Sequence, residues 1–152
     1  MKNLSELKAS YDKLKLWYDD LEDTDASSAF GIMKEASALQ SSFEFLSADL
    51  GKELSDAERS AKATHATVSS SLSTKVNEGD RLATKSIEVL EAWEHVSSIQ
   101  RSQRYIDAIS KHLSRIYFDS KLIFENACRA MRQPVGVDKL VGHVWQINRI
   151  SV

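Results

Sequence analysis

The chain has 152 residues, 42% hydrophobic and 28% charged, with a formal net charge of −2. That length suits one domain better than two. No apolar run approaches the roughly 18 to 20 residues that span a bilayer, and Cys128, the single cysteine, excludes an internal disulfide or a thiolate metal cluster within one chain.

With one proline and five glycines there are few turn signals for an all-β fold, and long helices are favoured. The N-terminus, Met1-Lys2-Asn3-Leu4-Ser5-Glu6, enters a charged periodic segment without an apolar leader, which predicts a cytoplasmic protein. Leu4, Leu7, Tyr11, Leu14, Tyr18 and Leu21 follow at alternating spacings of three and four, the signature of one helical face, and predict a first helix over about 3–22. Asp19, Asp20, Glu22, Asp23 and Asp25 crowd its end, where the macrodipole disfavours negative charge. A break is expected at 22–26, with Asp23-Thr24-Asp25 capping the next helix.

The same spacing resumes through Ala29, Met33, Ala36, Gln40, Phe43, Ser47, Leu50, Leu54, Ala57, Ala61, Thr64, Val68 and Ser71, with Phe30, Leu39, Leu46 and Leu72 widening the stripe. This predicts a long helix over about 26–73. From Ala57 onward Ala, Ser and Thr replace large side chains, so either a partner helix approaches closely there or the segment frays. Lys75-Val76-Asn77-Glu78-Gly79-Asp80 is the clearest turn, with Asp80 placed to cap a third helix.

That third helix is expected over about 80–132. Leu82, Val89, Trp93, Val96, Gln103, Ile106, Leu113, Tyr117, Phe124 and Ala127 mark its apolar face, Ile99, Ile109, Ile116 and Ile123 run alongside, and Pro134 ends it. The fold class is therefore all-α, a long antiparallel hairpin over 1–132 with a shorter N-terminal helix. Helices of about 45 to 50 residues are roughly 70 Å long and leave apolar surface for the first helix or further subunits to cover. Residues 133–152 carry nine apolar side chains. Among them Leu140, Val141, Val144, Trp145 and Ile147 read as a short segment that docks on its own bundle or drives homo-oligomerisation.

Charge is unevenly distributed. Residues 1–58 hold six Lys/Arg against thirteen Asp/Glu, whereas residues 96–132 hold seven against three. Arg101, Arg104, Lys111 and Arg115 fall within about 80° on a helical wheel, opposite Ile106, Leu113 and Tyr117. Such a stripe can pair with the acidic N-terminal part, or it can track a phosphodiester backbone. Tyr105 and Phe118 stand near its edges, where a base could stack or the core could claim them. Conversely Asp19, Asp20, Glu22 and Asp23 could meet a basic partner in an adaptor or inhibitor that binds no nucleic acid.

Motifs of catalysis are missing from the sequence. His65, His95, His112 and His143 form no His-x-x-x-His or Glu-x-x-His pair; Glu88, Glu91 and His95 share a helical face but read as solvated charge. No Gly-rich phosphate loop or Gly-x-Ser-x-Gly elbow occurs. A non-enzymatic protein without metal, cofactor or small-molecule substrate is expected, and Cys128 reads as a small buried hydrophobe.

The acidic N-terminal helical part, the middle segment Ala57-Glu58-Arg59-Ser60-Ala61-Lys62-Ala63, the Gly79-Asp80 turn, the long helix through Tyr105-Ile106-Asp107-Ala108-Ile109 and the apolar C-terminal segment together resemble the UvsY-type recombination mediators of T-even phages. The resemblance covers most of the chain in pattern and contains no diagnostic motif. It implies a ring-forming phage protein that binds single-stranded DNA and helps a recombinase displace single-strand binding protein. Here the basic stripe lies late in the chain, and no DNA-contacting residue of the family carries over.

Overall fold

The computed structural model describes residues 3–132, and four helices make up 90% of them with no strand among the described residues. They are α1 (Leu4–Asp19), α2 (Ala26–Leu72), α3 (Val76–Ala83) and α4 (Ile87–Arg132). The all-α class and the long antiparallel hairpin are as the sequence predicts. Leu140, Val141, Val144, Trp145 and Ile147, with the rest of 133–152, lie outside the described residues.

Helix α1 begins in a capping box: Asn3 Oδ1 accepts from the Glu6 amide at 2.9 Å, and Glu6 Oε2 accepts from the Asn3 amide at 3.2 Å. It ends at Asp19, three residues short of the expected end, with an acidic final turn that carries no cation. The break spans residues 20–25, opening two residues earlier than expected. Asp25 Oδ1 accepts from the Ser28 amide at 2.9 Å and opens α2.

Helices α2 and α4, of 47 and 46 residues, run antiparallel for nearly their whole length, about 70 Å. Ser47 bonds Asp107, Gly51 faces Gln103 and the Phe30 ring meets Phe124 at 5.5 Å, and all three pairs share one register. The Ala/Ser/Thr-rich second half of α2 remains helical to Leu72, and Ala61 is fully buried within it. Small side chains there serve close approach of the two rods.

The rod has a thick and a thin half. Helix α1 lies against the first half of α2 and the second half of α4, and Leu7 and Leu14 join Ile32, Leu39, Phe43, Ile109, Leu113 and Ile116 in one core. On α4 the heptad position turned to α1 reads Ile109, Ile116 and Ile123, whereas the same position further upstream reads Glu88, His95 and Ser102. Where the position is polar a third helix would bury charge, so the bundle stays two-stranded.

Two expectations are corrected. Residues 76–80 form no turn: they belong to α3, Gly79 is buried and helical, and Asp80 accepts from Ser69 Oγ at 2.9 Å instead of capping α4. A Cβ on residue 79 would stand 2.6 Å from the Ser69 carbonyl oxygen, so glycine serves close packing of α3 on α2 rather than a positive φ. The chain folds back at residues 73–75, between α2 and α3, and residues 84–86 separate α3 from α4, so the last long helix starts at Ile87 and not near 80. Second, Phe30 and Leu72 are half exposed, while Ile32 is fully buried. Ile32, Leu39 and Leu46 are spaced seven apart and form the α2 track that meets α1.

Candidate nucleic-acid interface

Arg101, Arg104, Lys111 and Arg115 all lie on the exposed side of α4, with Ile106, Ile109 and Leu113 buried on the other. Their spacing places them on two neighbouring heptad tracks, Arg101 with Arg115 and Arg104 with Lys111, continued by Arg129 and Arg132 respectively. Arg101 to Arg115 spans about 21 Å at 1.5 Å per residue.

Pairing with the acidic N-terminal part does not occur within the described residues. The ion pairs found there are Arg59–Asp56 at 3.3 Å on α2 and Lys121–Glu125 at 4.0 Å on α4, each between near neighbours within a single helix. Arg101 Nε donates to the Ser97 carbonyl at 3.3 Å, which lays its stem along the helix. Lys111 also borders a shallow open groove of about 490 Å³ that includes Glu44 and Asp107. Asp119, four residues beyond Arg115, accepts from the Tyr18 hydroxyl at 2.8 Å.

Helix α1 adds a feature that its net charge conceals. Tyr11 contacts His112 Nδ1 at 2.6 Å and Tyr18 contacts Asp119, one heptad further along both helices, so this side of α1 faces α4. Lys8 and Lys15, three residues before each tyrosine, are exposed on that same side and flank the stripe. The balance over residues 1–58 hid them from sequence reasoning, because the acidic groups gather beyond them at the helix end.

The hydroxyls of both tyrosines are held neutral to higher pH than usual. Burial against α4 is the main cause for each; the Asp12 carboxylate adds to it at Tyr11, and the hydrogen bond to Asp119 at Tyr18. The Asp25 carboxyl is shifted down, first by the Ser28 side-chain hydroxyl and then by the Ser28 amide that it caps.

Of the two aromatic residues near the stripe, Phe118 is 63% exposed and shares the heptad track of Arg104 and Lys111. Tyr105 is 43% exposed and takes the track of His112, on the side turned to α1. Leu122 is 58% exposed and follows Arg101 and Arg115.

Asp19, Asp20, Glu22 and Asp23 are exposed at the α1–α2 corner and take part in no ion pair among the described residues. Glu88, Glu91 and His95 are exposed on the thin half, and no group of three or more potential metal ligands occurs among the described residues. Cys128 is half-buried rather than fully enclosed. No helix among the described residues is long and apolar enough to cross a membrane.

Comparison of the chain with protein-family models, curated proteins and solved structures yields no match.

Proposed function

We propose that the protein is a non-enzymatic, oligomeric helical accessory factor of DNA metabolism, phage-like in kind, that binds single-stranded DNA along the outer side of α4. Arg101, Arg104, Lys111 and Arg115 supply the phosphate contacts. The supporting observation is that these four cations stand exposed on one side of a long helix and form no ion pair among the described residues. Unpaired cations repeated along a rod suit sequence-independent binding to a polyanion, and such binding releases counterions. Assembly through Leu140, Val141, Val144, Trp145 and Ile147 brings several stripes together and raises avidity. A recombinase or a single-strand binding protein is the partner that the resemblance to recombination mediators supports, in the cytoplasm of the phage's host.

Titration of a labelled oligodeoxythymidylate at two salt concentrations tests the reading. Four phosphate contacts give a slope of about −3 in log affinity against log salt, from roughly −0.7 per contact on a single strand. Absence of binding at low salt overturns it. Light scattering on the full chain tests assembly, and a monomer at all concentrations overturns that part.

The exposed carboxylates of Asp19, Asp20, Glu22 and Asp23 support a second reading, an adaptor or inhibitor that docks a basic protein at this corner. Changing the four to Asn or Gln leaves DNA affinity unaltered or slightly raised under the first reading; under the second it abolishes partner capture.

A further inference from the structure

We propose that Phe118 is a base-stacking platform set within the cation tracks, so that the α4 surface recognises unpaired bases as well as phosphates and thereby prefers single strands to duplex. The inference rests on the DNA-binding reading and assigns a residue to a different part of the ligand.

The geometry starts from the heptad. Arg104, Lys111 and Phe118 occupy one track at intervals of seven, and Arg115 and Leu122 lie three before and four after Phe118, so all five share one patch of helix surface. The Phe118 ring is 63% exposed and so contributes little to the core. Its neighbour Tyr117, packed against the core, meets it edge-on with centroids 5.4 Å apart and planes at 83°. An edge-to-face contact of this kind braces the Phe118 ring and leaves its far side to solvent. Glu125, the next residue on the track, is engaged by Lys121 at 4.0 Å, which reduces the repulsion of an approaching phosphate.

Charge selects the occupant. A second copy laid on this face in parallel register, or antiparallel about the middle of the stripe, sets Arg101, Arg104, Lys111 and Arg115 against their own kind, at a cost in repulsion. The apolar groups are therefore placed among charges that disfavour self-pairing and favour a polyanion. A polyanion that also carries flat apolar faces is single-stranded nucleic acid, whose bases stack on aromatic side chains irrespective of sequence; in duplex those faces are already occupied.

Three probes and three variants of the full chain test this, the probes being an oligodeoxythymidylate, an abasic oligomer of the same length, and a duplex of that length. The wild-type protein is expected to bind oligodeoxythymidylate more tightly than the abasic strand or the duplex. Phe118→Ala is expected to weaken oligodeoxythymidylate binding roughly 5- to 150-fold, to leave the abasic strand and the salt slope unchanged, and to be rescued by Phe118→Trp. Arg104→Gln is expected to weaken binding to all three probes and flatten the salt slope. Because Phe118 is exposed, its truncation leaves the thermal unfolding midpoint close to wild type. Equal affinity of Phe118→Ala and wild type for oligodeoxythymidylate, or equal loss on the abasic strand, overturns the stacking role while the cationic reading stands. Failure of the wild-type protein to bind any probe overturns the DNA-binding reading itself, and tighter capture of polyglutamate than of any oligonucleotide identifies an acidic protein as the ligand and overturns both.

Discussion

Gly31 lies so close under the Trp17 indole that a Cβ on it would stand 2.5 Å from Cη2. The obstructing atom is the outer edge of a side chain that is 42% exposed, so the ring can swing away. Gly31→Ala therefore gains helix propensity, about 1 kcal/mol, and loses part of the indole contact. Overall stability in urea changes little, while the Trp17 emission shifts to the red; an unchanged emission spectrum contradicts the placement of Trp17 on α2.

Gly79 and Gly51 give opposite results under the same substitution. At Gly79 the new methyl would meet the Ser69 carbonyl at 2.6 Å and its hydroxyl at 2.8 Å, and backbone yields less readily than a side-chain tip. Overpacking of about 1–3 kcal/mol outweighs the gain in propensity, and Gly79→Ala destabilises. At Gly51 the nearest atom is Gln103 Nε2 at 3.6 Å, ordinary contact, so Gly51→Ala stabilises by roughly 0.5–1 kcal/mol. Denaturant midpoints of the two variants should move in opposite directions.

Ser120 is fully buried in the heptad seam of α4, and its hydroxyl has no hydrogen-bond partner among the described residues. Removing an unsatisfied buried hydroxyl recovers its desolvation cost. Ser120→Ala is expected to raise stability by about 1 kcal/mol, read as a higher denaturant midpoint at unchanged slope.

Alkaline pH should undock α1. Tyr11 and Tyr18 have folded pKa values raised above the ordinary 10.0, so the folded state holds these protons more tightly than the unfolded chain does. Their contribution is fully present below about pH 10 and is lost as pH rises through the raised values. Trp17 fluorescence followed upward from neutral pH reports the loss, and Tyr11→Phe with Tyr18→Phe should flatten that part of the profile.

The long helices were legible because two stripes of apolar residues keep a heptad rhythm for over forty residues. Helix α3 was not. Asn77, Gly79 and Asp80 have the composition of a turn, and only the Ser69 backbone, ten residues away in sequence, shows why glycine is needed there. Ile32 was missed for a similar reason: it faces α1 rather than α4, and a single stripe cannot describe a helix with two partners. The basic stripe was visible as spacing, and its exposure is set by the core opposite. Lys8 and Lys15 became part of that surface only once Tyr11 and Tyr18 showed which way α1 is turned.

The single register that relates α2 to α4 makes the thin half a spacer of adjustable length. Excising seven residues from each rod at matching levels there would bring every remaining pair back face to face, shortening the molecule by about 10 Å while the α3 cap and the three-stranded body stay as they are. The distance between the two ends is thus a quantity that evolution, or a designer, can set in whole heptads.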